Sequence, residues 1–192
     1  MSLQYHLSAC ALGLLAATVL ARASMLRRRG VRAIVFGKTE KSDFLLIPLA
    51  LAIAYTVLSR ALGLPMWKPL ARPFWTSSIP GWFGLALCFL ALVGFALSLA
   101  SFGSSFRVGI DEQAAGKLVT TGMFGVSRNP LYACFLLFFL GLLLVHRNIV
   151  IVVVSVLFAL LIHRQVLREE RFLRAHYGAA YEAYCQQVRR YF

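Results

Sequence analysis

Acidic residues are scarce in this chain: seven Asp and Glu stand among 192 residues, against twenty Lys and Arg. The resulting net charge of +13 suggests an anionic partner, and nucleic acid is the first class to consider. Yet charged residues of both signs make up only 14% of the chain, while 60% is hydrophobic. That balance points to a basic membrane protein, in which Lys and Arg collect in the cytoplasmic loops, so no nucleic-acid partner is expected. Metal-ligand spacing is also lacking. Cys10, Cys88, Cys134 and Cys185 form no CxxC pair and read as small apolar fillers. His146 and His163 stand apart, so no metal site is expected. No internal repeat is found, and the terminal "RRYF" is not a prenylation box.

What the chain does have is long apolar runs. Five approach the ~20 residues needed to cross a bilayer: Tyr5–Ala21, Phe44–Leu62, Trp82–Phe102, Leu131–Val145 and Ile149–Ile162. The expected fold is therefore all-α, a single polytopic membrane domain over 1–192 with five transmembrane helices. Residues 1–101 read as scaffold, and 102–192 as the half that carries chemistry. Alternating the loops between sides puts sixteen basic residues and all seven acids on one face, and four basic residues on the other. The richer face is expected to be cytosolic, with the N-terminus outside and the C-terminus inside. Such a protein suits a bacterial inner membrane, or another membrane with a cytosol-facing site. The "ARAS" at 21–24 resembles a signal cleavage site, but the basic cluster follows the apolar run instead of preceding it, the reverse of a signal peptide.

The last two runs are short, fifteen and fourteen residues joined by "HRN". They are expected to form a helical hairpin, with the second helix running on through "HRQVLREERFLRAHYG" and stopping at Gly178. Three polar features meet at the cytosolic end. "FGSSFRVGIDE" (102–112) brings Asp111 and Glu112. "GKLVTTGMFGVSRNPLY" (116–132) brings Arg128 and Asn129 just before Pro130, which suits the first turn of a helix. The open N–H groups of such a turn can hold an anion; Arg128 is equally explained as an interface anchor. The third feature is the adjacent pair Glu169–Glu170. Glu170 and Arg174 are spaced for a salt bridge on a solvated helix face, while Phe172, Leu173, Tyr177 and Tyr181 form an apolar stripe.

"LVTTGMFGVSRNPLY", then a hydrophobic hairpin, then "REERFLRAHYGAAYEAY" resembles the isoprenylcysteine carboxyl methyltransferase family and its phospholipid methyltransferase relatives. The resemblance covers residues 102–185 and implies an integral membrane enzyme that uses S-adenosylmethionine on a lipophilic or lipid substrate. It implies that Lys117, Leu118, Val119, Phe124, Asn129, Pro130, Leu131 and Tyr132 line the cofactor pocket. Glu169 would hold polar groups of the cofactor, and Glu170 would support it or reach the same site. Glu170, Arg128 and Arg168 are the candidate catalytic residues. Asn129 stands where the family usually has His. Gln165 stands where members that methylate a prenyl-cysteine carboxylate usually have Arg, and a Gln cannot clamp a carboxylate in two-pronged fashion. If the nucleophile is an amine or thiol, Glu170 and Asp111 are candidate bases. Two other readings are an NADPH-dependent membrane reductase of the sterol reductase type and a non-enzymatic membrane scaffold or transporter.

Overall fold

The computed structural model describes residues 3–28, 45–102 and 118–191. Part of the basic cluster (Arg29, Arg32, Lys38 and Lys41), Phe44 at the start of the second expected span, Arg107, Asp111, Glu112 and Lys117 lie outside these residues. The described chain is helical, with seven α-helices and no strand. They are α1 (Leu3–Arg28), α2 (Leu46–Leu62), α3 (Lys68–Ala71), α4 (Ile79–Phe102), α5 (Pro130–His146), α6 (Ile149–Tyr177) and α7 (Ala179–Gln187), with a 3-10 turn at Gly122–Gly125.

Three helices, α1 up to Met25, α4 and α6, are long and apolar enough to cross a membrane. The other two expected spans, α2 and α5, are apolar helices of 17 residues. At 1.5 Å per residue each is about 25 Å long, short of a ~30 Å hydrocarbon core. The expected continuation of the last span is present. α6 runs unbroken for 29 residues, past its apolar first half, to Gly178. There the backbone turns left-handed (φ 50°), a conformation open to glycine, and the Gly178 N–H donates to the Arg174 carbonyl at 3.1 Å.

Small residues bring α4 and α5 together. A Cβ on Gly84 would sit 2.5 Å from the Gly141 carbonyl oxygen, and one on Gly141 would sit 2.6 Å from Cys88 Sγ. Further along the seam, a Cβ on Gly94 would sit 2.9 Å from the Cys134 sulfur. Cys88 and Cys134 are buried and unbonded, so the filler reading of these two holds. This seam has the small-residue form of helix contacts in membranes, where close backbone approach replaces the hydrophobic effect. Around it Ile53, Val57, Phe95, Phe138, Leu142, Ile151 and Val166 form the core. Leu90, Val93, Leu97, Val153, Val156 and Leu160 face outward, as lipid-facing positions do.

The chain order gives the bundle two distinct ends. One gathers the start of α1, the end of α2, the start of α4 and the Arg147–Asn148 joint between α5 and α6. It is tied by Ser8 Oγ to His146 Nε2 at 3.0 Å and by Gln4 Nε2 to the Ser78 carbonyl at 2.9 Å. The Phe74 N–H also donates to the Arg147 carbonyl at 2.8 Å. The other end gathers residues 118–130, the polar half of α6, and α7. The candidate residues lie there.

Candidate functional site

Pro130 is the first residue of α5, as its fixed φ and missing N–H favour. Asn129 precedes it but does not cap the helix with its side chain. Its amide instead crosses to α6, where Nδ2 donates to Glu170 Oε1 at 3.0 Å and to the Arg190 carbonyl at 3.2 Å. Arg128 makes the same crossing. Its Nε and Nη2 reach Glu170 Oε1 at 3.3 Å, and Nη1 donates to the carbonyls of Cys185 (3.1 Å) and Val188 (3.0 Å). The Arg128 backbone N–H adds a bond to the Arg189 carbonyl at 2.9 Å. From the chain's end, Arg190 closes on the second carboxylate oxygen, with Nη2 at 2.9 Å and Nε at 3.1 Å from Glu170 Oε2.

Glu170 is thus 2% exposed and fully engaged. Five donor groups from three residues meet its two oxygens, so a carboxylate that would be prohibitive alone becomes a clasp between the 127–129 loop, α6 and the C-terminal segment. The bonds from Glu170 hold the Arg190 guanidinium still more firmly protonated than an ordinary Arg. Both oxygens of Glu170 therefore accept from donors within the protein. The same geometry makes Arg128 and Asn129 tie points of this clasp. The expected Glu170–Arg174 face is absent too, for Arg174 pairs with Glu182 at 2.5 Å.

Glu169, one residue earlier, has a different setting. It is half-buried, and the hydrogen bonds described for it fall on Oε1: Tyr132 Oη donates at 2.6 Å and Gln165 Nε2 at 2.7 Å. Gln165 accepts in turn from Arg168 Nη2. Arg168 therefore folds back over one helical turn toward the Glu169 side.

The wall beside these groups is apolar. Leu118 and Val119 are half-buried and lead into the 3-10 turn, where Phe124 is buried. The turn is fixed from two sides. Ser101 Oγ accepts from the Met123 N–H at 3.1 Å, and Phe102 packs edge-on against Phe124 at 4.4 Å. Tyr184 of α7 donates to the Phe124 carbonyl at 2.6 Å, and burial pushes its phenol up to about 12, keeping it a donor. Leu131 is half-buried on the first turn of α5 beside Tyr132. The described contacts thus join Arg128, Asn129 and Glu170 in one group and Tyr132, Gln165, Arg168 and Glu169 in another.

Sequence reading missed Arg190, Tyr184 and the pairing of His163 with Tyr191, whose hydroxyl lies 2.9 Å from Nδ1. The "RRYF" tail was legible only as part of a basic count. A groove of about 270 Å³ runs along α5 over Ala133, Leu136, Leu137 and Leu140, and Tyr191 borders it.

Over 145 residues the chain is 27% identical to protein-S-isoprenylcysteine O-methyltransferase B of Arabidopsis thaliana, covering 72% of this chain and 70% of that protein. These matches favour methyl transfer over the reductase and scaffold readings. The phospholipid methyltransferase family profile matches residues 73–180, more than half the chain and a stretch that includes Arg128, Asn129, Tyr132, Glu169 and Glu170, so the protein belongs to that family of membrane methyltransferases.

Proposed function

We propose that the protein transfers a methyl group from S-adenosylmethionine to a lipophilic or lipid substrate at the cytosolic face of its membrane. The observation that carries this reading is the contrast between the two adjacent carboxylates. Glu170 is closed on all sides by five donors, whereas the hydrogen bonds described for Glu169 fall on one oxygen, Oε1, and we assign its other oxygen to the cofactor. The donor set fits the cofactor's chemistry. A carboxylate suits an ammonium or ribose hydroxyls, the α5 start suits a carboxylate, and Leu118, Val119, Phe124, Pro130 and Leu131 suit its uncharged parts. Lys117 completes the set. When bound, the cofactor supplies an electrophilic methyl group.

The chain's own residues do the positioning, and alignment alone can supply several kcal/mol to a displacement of this kind. Tyr132 and Gln165 fix Glu169; Arg128, Asn129 and Arg190 fix the loop and tail around it through Glu170. The groove along α5 gives a substrate chain an apolar bed that begins at Ala133, next to Tyr132. Arg168 sits beside Gln165 to meet an anionic nucleophile. A carboxylate nucleophile is already ionised near neutral pH and needs no base. The charge asymmetry of the loops supports a cytosolic position for this end, in a chain that crosses with five helices and has its N-terminus outside.

The test is incubation of purified protein in lipid nanodiscs with methyl-labelled S-adenosylmethionine and a membrane lipid extract, followed by identification of the labelled product. Labelled lipid is expected from wild type and none from Glu169→Gln, with cofactor binding lost in the variant by calorimetry. A Glu169→Gln protein that binds the cofactor normally would sink the assignment of this site.

A further inference from the structure

The end of the bundle remote from Glu169 holds a second cluster that methyl transfer does not use. A cavity of about 390 Å³ lies between α1, α2 and the α2–α3 connection, lined by Tyr5, Ser59, Arg60, Met66 and Ala71. Arg60 sits in the last turn of α2, with its guanidinium 5.8 Å from the Tyr5 ring centroid. One nitrogen, Nη2, donates to the Ala71 carbonyl, while Nε is buried without a partner. A second guanidinium approaches from the α5–α6 joint, with Arg147 Nη2 3.4 Å from the Tyr5 hydroxyl. Since that hydroxyl accepts from Arg147, its own proton is available to a ligand.

Among the described residues, no carboxylate lies at this end. The three acids among the described residues, Glu169, Glu170 and Glu182, all lie in the second half of α6 and in α7. Arg60 is neutralised by no carboxylate there; the partners described for it are a carbonyl and an aromatic face. A guanidinium with an unused N–H beside a cavity at a bundle end is the setting in which membrane proteins take anionic headgroups. The volume falls within the range of small-ligand sites, ~300–1,000 Å³.

We infer that this cavity is a binding site for a phosphate group, held by Arg60 and the Tyr5 hydroxyl, on the membrane face opposite the methyl-transfer site. A phosphate ester suits Arg because its planar fork meets two oxygens at once. The group can arrive on a phospholipid headgroup or as free phosphate, and the two are separable by experiment.

Purified full-length protein in a neutral detergent is heated with dioleoyl phosphatidylglycerol, with dioleoylglycerol, which lacks the phosphate, or with inorganic phosphate. Phosphatidylglycerol is expected to raise Tm where dioleoylglycerol does not, and the shift is expected to be lost in Arg60→Gln. Ala71→Phe fills the cavity but keeps the Arg60 charge and its carbonyl acceptor, so it should lose the shift even if Arg60→Gln folds poorly. Arg72→Gln, which removes a nearby cation outside the cavity lining, should keep it. A matching shift with inorganic phosphate, equally lost in both cavity variants, identifies the free anion as a ligand. No shift with either phosphate-bearing probe, a shift that survives Ala71→Phe, or an equal loss in Arg72→Gln overturns the site.

Discussion

Neighbouring residues on an α-helix point about 100° apart, and Glu169 and Glu170 show how much that angle decides. Glu170 faces the 127–129 loop and the tail; Glu169 faces Tyr132 across the first turn of α5. Their neutral variants should separate stability from function. Glu170→Gln leaves the guanidiniums of Arg128 and Arg190 without a counter-charge, a change of the kind that costs roughly 3 kcal/mol when the pair is buried. A clear drop in Tm is the expected reading, and an unchanged Tm would show that the clasp contributes little. Glu169→Gln should melt near wild type yet lack methyl transfer. Between them lies Gln165. Gln165→Ala removes one of two donors to Oε1, and hydrogen bonds to charged groups contribute about 1.5–3 kcal/mol. Cofactor affinity should weaken about tenfold or more by calorimetry, with less effect on Tm than Glu170→Gln. The sequence displayed both acids, but not their division of labour. Arg128 and Glu170 are 42 residues apart, and the carbonyls that Arg128 holds are 57 and 60 residues away. Such distances come from tertiary packing and leave no local pattern. Arg190 was illegible for the same reason, since a basic tail counts toward topology whatever its side chains grip.

At the scale of elements, apolar runs foretold the helices well, because length and hydropathy set where a membrane helix can form. Their pairing was less visible. Gly84 and Gly141 read as two among 14 glycines until each is seen lying against the other's carbonyl oxygen. Gly141→Ala must push α5 away from α4, since its Cβ would meet the Gly84 carbonyl oxygen at 2.5 Å and Cys88 Sγ at 2.6 Å. Overpacking of this type costs typically about 1–3 kcal/mol, so Tm of the purified protein should fall. Gly13→Ala on α1 is the matched control. A Cβ there meets nothing within 4 Å, and replacing a helix-interior glycine gains roughly 0.5–1 kcal/mol. Opposite shifts from two identical substitutions would locate the effect in the α4–α5 seam, while two equal shifts would discount it. The same displacement carries to function, because α5 bears Tyr132 at its first turn. Gly141→Ala should also lower methyl transfer at temperatures where it remains folded.

For the whole molecule, the decisive quantity is the sidedness of charge. Sixteen basic residues fall on one predicted face and four on the other, and the site residues Arg128, Arg168 and Arg190 belong to the richer set. The structure adds the physical reason the two ends differ. One end carries all three described acids, with which Arg128, Arg174 and Arg190 pair; at the other, the partners described for Arg60 and Arg147 are carbonyls, a ring and a hydroxyl. An end that sets carboxylates beside its cations can open a polar pocket to a charged, water-soluble cofactor, which the proposed function draws from the cytosol. Orientation is therefore a condition of the proposed activity, and it can be measured independently. Single cysteines at Ser78, exposed beside the α4 start, and at Glu182, exposed on α7, sample the two ends. In intact cells a membrane-impermeant maleimide should label Ser78→Cys above the parent protein. Glu182→Cys should react only after the membrane is opened. The reverse pattern would put Glu169 on the side without cofactor and refute the proposed site's orientation, whatever the activity of the purified protein.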